Sequence, residues 1–244
     1  MIKETRETVE LEVNNEGIAT ITLKQITFNQ KMIREFDEFL DILEKTQGPM
    51  CLITKSSHQK IFSAGLNLAI FKEHIAAVGN FLNEFSRLIG RLLELPFPSI
   101  AAINGHLVAG GVMFAMAHDY RIMIDGNFKV LMNEVINGLG IPRNMGAAIF
   151  AKLKPQTLRD LNLMGMNFTP AKALQEEMID SLVPNQETLD KKVLELANSI
   201  KELGDKRLGY KAIKISLYKD HIAMTRAVCE EESFDALGIY KAKL

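Results

Sequence analysis

The stretch PSIAAINGHLVAGGVMFAMAHDYRIM, residues 98–123, decides the fold. From Ser99 to Ala117 it carries no charged residue, and that length of uncharged chain is enough to test for a membrane span. Asn104, His106 and the glycines at 105, 110 and 111 argue against a span. The stretch reads better as a buried strand over Ser99–Asn104, a turn at Asn104-Gly105, a buried helix over Val112–His118 and a strand over Tyr120–Ile124. Glycines at a helix entrance let backbone N–H groups approach a ligand closely. Those first N–H groups lack intrahelical partners, and the helix dipole there favours negative charge. Close helix–strand packing would use the same glycines, so the spacing alone leaves both readings open.

Outward from this centre the periodicities alternate. Val9–Val13 and Ile18–Leu23 alternate apolar and polar residues around Asn14-Asn15-Glu16-Gly17, which predicts a hairpin. Lys31–Lys45 places Met32, Ile33, Phe36, Phe39, Leu40 and Leu43 on one helical face. Met50–Thr54 reads as a strand and Lys55–Lys60 as a loop. A helix is expected from about Leu68, and a further one over Phe81–Leu95, ended by Pro96 and Pro98. Phe128–Leu131 reads as a short strand. Gly146–Leu153, Gln156–Met164 and Pro170–Leu174 read as helices, Ser181–Val183 as a strand, and the chain from Glu187 onward as helical. The letters show no simple internal repeat. The order predicts α/β layers with a helical C-terminal region, divided as a core over residues 1–186 and C-terminal helices over 187–244.

Bulk properties narrow the function. The chain has 244 residues, 47% of them apolar, which fits a packed globular protein rather than a disordered one. A net charge of −1 excludes the basic excess of a nucleic-acid binder. Cys51 and Cys229 are too few and too far apart for a disulfide framework or a zinc site. The five histidines show no metal-ligand spacing, so no metal is expected. The start, MIKETRETVE, has no apolar core of a secretory signal.

Three stretches could carry chemistry. The first is the glycine pair Gly110-Gly111. The second is Ile61-Phe62-Ser63-Ala64-Gly65-Leu66-Asn67-Leu68, where small residues join a strand to a helix. The third is Met132–Gly140, in which Glu134 stands among apolar neighbours. Such a carboxylate has its pKa raised and serves as a base near neutral pH if it is buried; a paired or solvent-facing Glu134 is the alternative. Gly138-Leu139-Gly140 lacks the third glycine of a dinucleotide fingerprint, since Arg143 stands there. His118-Asp119 ends a buried helix and reads as a packed, hydrogen-bonded pair.

The three stretches together resemble the crotonase, or enoyl-CoA hydratase/isomerase, superfamily in order and spacing. FSAGLNL is similar to its first oxyanion loop, residues 98–123 to its central signature, and NEVINGLGIP to the segment with a catalytic glutamate. The resemblance covers nearly the whole chain. It implies a spiral of ββα units with C-terminal helices at a subunit interface, assembled as a homotrimer or a hexamer. It implies an acyl-CoA substrate, which carries its own coenzyme A, so that no separate cofactor is expected. By the resemblance, the backbone N–H groups of Ala64 and Gly110 hold the thioester oxygen, and Glu134 is the catalytic residue. Each such donor can contribute about 3 kcal/mol as enolate charge develops. Ser63, Gly65, Leu68, Gly111, Met113, Asn137 and Leu139 would surround the substrate. Lys60 and Lys214 would approach the phosphates of coenzyme A, although solvated surface lysine is the plainer reading of both.

One departure separates branches of this family. Hydratases use two glutamates to activate water, and the first would fall at Met113. A single carboxylate can instead take a proton from C2 of a 3-enoyl-CoA and return it at C4, with Met113 keeping water away. The sequence is most similar to peroxisomal Δ3,Δ2-enoyl-CoA isomerases of the plant-like type. The ending Ala242-Lys243-Leu244 resembles a peroxisomal address read by an import receptor; the cytoplasm is the alternative location. A thioester hydrolase, another single-carboxylate crotonase, or a non-catalytic acyl-CoA binder are the competing readings. Asn67 replaces an aspartate common in the first loop, and Arg143-Asn144-Met145 replaces a glycine-rich turn, so acyl-chain preference stays open.

Overall fold

The computed structural model describes residues 1–72 and 75–228. Cys229 and the Ala242-Lys243-Leu244 ending lie outside the described residues.

Strands β1 (Ile2–Thr5), β2 (Val9–Val13) and β3 (Ile18–Leu23) form an antiparallel meander. The Asn14 side chain closes the β2–β3 turn by accepting from the N–H groups of Glu16 and Ile18, each at 2.9 Å. Helix α1 (Gln30–Lys45) follows, capped by Asn29, whose side chain accepts from Met32 N. Its predicted apolar face is buried: Phe36, Phe39, Leu40 and Leu43 are all inaccessible to solvent.

Three repeats of one unit come next. The first is β4 (Cys51–Ser56), β5 (Ile61–Ser63) and α2 (Ile75–Leu93). The second is β6 (Ser99–Ile103), β7 (His106–Val108) and α3 (Gly110–Ala117). The third is β8 (Tyr120–Ile124), β9 (Val130–Leu131) and α4 (Ala147–Lys152). In each unit the first strand joins one large sheet, ordered β1-β2-β3-β4-β6-β8 and closed by the later strand Ser181–Val183, and the second joins a small parallel sheet, ordered β5-β7-β9. This is the ββα spiral, and it is invisible as a letter repeat because the units share only geometry. The chain continues through α5 (Pro155–Leu158), a π-helical turn at Arg159–Leu163, α6 (Pro170–Gln175), β10 (Ser181–Val183), α7 (Gln186–Ile200) and α8 (Arg207–Arg226).

The centre of the large sheet, β4, β6 and β8, is buried on both faces. Every residue of β6 is buried, which explains its continuous apolar run. On one face α7 lays Leu189, Val193 and Ala197 over Ile53, Ile100 and Ile122. On the other face, Phe114 of α3 is the hub of an aromatic cluster. The rings of Phe28, Phe36 and Phe62 lie 4.7, 5.3 and 6.4 Å from it. All eight residues of α3 are buried, so the central helix is fixed by packing on every side.

Several boundaries differ from the sequence reading. The expected helices from Leu68 and over Phe81–Leu95 are a 3-10 turn at Leu68–Lys72 and one helix, α2, that ends at Leu93. β1 and β7 were not expected: each is short, and β7 buries only Leu107, leaving little period to read. The helix expected over Gln156–Met164 is α5 followed by the π-helical turn.

Candidate active site

The parallel strands β5, β7 and β9 all point one way, so the loops at their C-terminal ends gather at one edge. Those loops are Ala64-Gly65-Leu66, Ala109-Gly110 and Met132-Asn133-Glu134, the three stretches singled out by sequence. Between them lies a cavity of about 320 Å³, within the range of small-molecule sites. Ala64, Leu68, Gly110, Met113, Glu134, Asn137 and Leu139 line it. Phe71, Leu82, Ile141, Pro142 and Met145 complete an apolar wall. Their convergence comes from α2 and the segment before α4 folding over the small sheet, which no local pattern in the sequence announces.

Ser63, Gly65 and Gly111 are not on the wall, which corrects the sequence reading. The Ser63 hydroxyl is buried, donating to Ile26 O at 3.3 Å and accepting from Gly65 N at 3.2 Å. Gly65 has φ +87, and a Cβ there would lie 2.9 Å from Gly110 N. A Cβ on Gly111 would meet the Ser63 Cβ at 2.8 Å. These residues let the first loop and α3 approach each other.

The amide donors need a second correction. Ala64 N donates to Ile26 O at 2.7 Å, so it is unavailable to a ligand. Gly65 N is bound to Ser63, and Asn67 N donates to Phe28 O at 2.8 Å. The Leu66 N–H is left without a hydrogen-bond partner among the described residues, and Leu66 lines the cavity. Gly110 N, at the start of α3, is likewise without a partner among the described residues. Leu66 and Gly110 are neighbours: a Cβ on Gly110 would lie 3.3 Å from Leu66 Cγ. Ala109, just before, holds φ 52 and ψ −123, a strained backbone for a residue with a Cβ. Its N–H donates to Leu131 O at 2.8 Å and its carbonyl accepts from Val112 N at 2.8 Å. Those bonds hold the turn that sets the direction of the Gly110 N–H.

Glu134 is the one titratable side chain among the described residues lining the cavity. Burial pushes its pKa up to about 7, and its Oε2 is buried with no hydrogen-bond partner among the described residues. The backbone around it is well tied: its carbonyl accepts from Asn137 N at 3.0 Å and Leu139 N at 2.8 Å. Met113 lies three residues after Gly110 on the cavity face of α3 and is 1% exposed.

Lys214 is buried in an ion pair rather than free on the surface. Its Nζ is buried, 2.8 Å from Asp119 Oδ1 and 3.2 Å from Leu92 O, so its charge is already matched. Lys60 keeps an exposed side chain, while its carbonyl accepts from His106 N at 2.8 Å. His118 and Asp119 are both hydrogen-bonded, though to different partners. His118 contacts Phe114 O at 3.0 Å and Thr54 Oγ1 at 2.9 Å, and burial lowers its pKa to about 3. Asp119 binds Lys214 and accepts from Ser99 N at 3.0 Å. No group of three or more metal-ligating side chains occurs among the described residues. No helix among them is long and apolar enough to cross a membrane.

The family profile for enoyl-CoA hydratase/isomerase matches residues 13–230. The chain belongs to this family. An Arabidopsis thaliana protein named enoyl-CoA delta isomerase 3 is 34% identical over 143 residues, 57% of this chain and 59% of that one. The A. thaliana peroxisomal enoyl-CoA delta isomerase 2 is 30% identical over 151 residues, 59% of this chain and 62% of that one. The matches thus span about three-fifths of these relatives' own length. Among solved structures, an enoyl-CoA hydratase/isomerase family protein from Pseudomonas syringae superposes with a TM-score of 0.82 at 25% identity, covering 93% of this chain and 96% of that one. Human mitochondrial delta3-delta2-enoyl-CoA isomerase superposes with a TM-score of 0.80 at 22% identity, covering 96% and 97%, and shows the shared crotonase fold.

Proposed function

We propose that the protein is a Δ3,Δ2-enoyl-CoA isomerase. The observation that carries this reading is a cavity lined, among the described residues, by one titratable side chain, Glu134, with the apolar Met113 on the same lining. The ionised Glu134 removes a proton from C2 of a 3-enoyl-CoA. The electron pair flows into the thioester, and the N–H groups of Leu66 and Gly110 stabilise the oxygen of the resulting dienolate. Glu134 then returns its proton at C4, and the double bond settles between C2 and C3. The carboxylate is regenerated and no water is consumed. A pKa of about 7 suits a group that must accept and give up the same proton near neutrality. Met113 and the apolar wall limit water beside the dienolate.

Exposed apolar side chains on α8, among them Leu208, Ile213 and Leu217, support assembly of copies through the C-terminal helices as a homotrimer or hexamer. The ending Ala242-Lys243-Leu244 and the peroxisomal relative support import into peroxisomes through a receptor for that address. The isomerase reading is tested by giving the protein 3-enoyl-CoA and 2-enoyl-CoA in parallel. Growth of conjugated enoyl-thioester absorbance from the first, with no hydration of the second and no free thiol, is expected. Release of free coenzyme A as the main product would replace this reading with thioester hydrolysis.

A further inference from the structure

The apolar end of the cavity is formed by Leu82 of α2 and by Ile141, Pro142 and Met145. Beside these residues lies a buried polar cluster that the proton transfer does not use. Asn144 is 4% exposed, and Asn83, next to Leu82, is 8% exposed. Asn144 Nδ2 donates to Asn83 Oδ1 at 3.2 Å and to the carbonyl of Ala227 at 3.1 Å. Its Oδ1 accepts from Met145 N at 3.0 Å. One carboxamide therefore joins the wall turn to α2 and to the residue that caps α8.

Both anchors are fixed. Ser86 Oγ of α2 donates to the carbonyl of Thr225 at 2.9 Å. Thr225 sits over Gly90, where a Cβ would lie 2.0 Å from its Oγ1. The end of α8 is thus seated on α2 two residues before Ala227. The turn from Pro142 to Gly146 adds its own bonds, from Met145 N and Gly146 N to Pro142 O at 3.0 and 3.1 Å. These hold the turn's shape but tie it to nothing else. A buried amide whose donors and acceptor are used is a stiff coupling, because leaving its partners unpaired is costly.

We infer that Asn144 is a specificity-determining positioning residue. It fixes the wall of Ile141, Pro142 and Met145 against Leu82 and so sets the length of acyl chain the cavity accepts. The inference rests on the acyl-CoA reading above and adds the residue that sets its chain-length preference.

The test uses binding, so that it does not depend on turnover. Affinities of the full chain for butyryl-CoA, octanoyl-CoA and dodecanoyl-CoA are measured by calorimetry for the wild type and Asn144→Ala. The variant removes both donors, and the wall recedes. The dodecanoyl-to-butyryl affinity ratio is expected to rise about fivefold, with butyryl-CoA affinity kept within about twofold. An unchanged ratio, or equal weakening for all three ligands, would overturn the inference, since a merely structural role predicts one of those. If Asn144→Ala fails to fold, Asn83→Ala removes the same bond from its other end and is expected to shift the ratio the same way; no shift overturns the inference. Wild type that binds none of the three overturns the acyl-CoA reading itself, a result distinct from a flat ratio.

Discussion

Replacing Lys214 with methionine separates a structural role from a phosphate-binding one. Lys214 Nζ is 2.8 Å from Asp119 Oδ1, and the two side chains are 5% and 13% exposed. Burial alone would raise the Asp119 carboxyl, but the Lys214 ammonium, with Lys152 and the Ser99 hydrogen bond, holds it below the usual range. Removing one partner of a buried pair costs about 3–5 kcal/mol. Asp119 keeps Ser99 N and Oγ at 3.0 and 3.1 Å and the Tyr210 hydroxyl at 3.3 Å. The lower end, about 3 kcal/mol, is therefore expected. For a chain of this size that lowers the thermal midpoint by about 6–12 °C, read by circular dichroism. The sign with pH follows from the lowered carboxyl: the stability it contributes is present above its unfolded pKa and lost as pH falls through the folded one. The gap between wild type and variant therefore closes as pH drops below about 4. Acyl-CoA affinity of the folded variant should match wild type. An unchanged midpoint with clearly weaker binding would refute this reasoning and restore Lys214 as a phosphate ligand.

Further outcomes follow from the same geometry. Glu134→Gln should raise the thermal midpoint at pH 8 and have little effect below about pH 4, because burial raises this carboxyl to about 7 and the penalty grows as pH climbs from the unfolded carboxyl's ordinary value through the folded one. In wild type the isomerase kcat should fall as pH drops below about 7, since the base must be ionised to act; a rate that is flat from pH 5 to 8 contradicts that role. Met113→Glu should introduce measurable hydration of 2-enoyl-CoA and lower isomerisation, by placing a second carboxylate on the cavity wall; the product ratio by chromatography checks this. Gly105→Ala should destabilise by about 3 kcal/mol in denaturant unfolding, because its Cβ would fall 2.0 Å from the Lys60 carbonyl carbon.

The alternating strands and the amphipathic α1 were legible because one face of each is apolar at a fixed period, and α3 because its run is uncharged and apolar all round. The ββα repeat was not, because the second strand of each unit is two or three residues long. Glu134, Gly110 and Met113 were legible through their motifs and do meet in one cavity. The amide partner was not: Ala64 and Leu66 are both backbone donors, and only the bond from Ala64 to Ile26 O shows which one is taken. Lys214 misled for a similar reason. Its ion pair with Asp119 spans 95 residues, and no local signal marks a charge matched at that separation. The apolar cavity wall drew Leu82 and Met145 from segments far apart in sequence, where each reads as ordinary core.

The most direct test is single-turnover conversion of a 3-enoyl-CoA by wild type and Glu134→Gln, with acyl-CoA affinity measured on the same samples. The account predicts that the rate of conjugated-thioester formation falls about 10²–10⁴-fold while affinity stays within about twofold. A variant that keeps more than about a tenth of the rate would contradict Glu134 as the proton carrier.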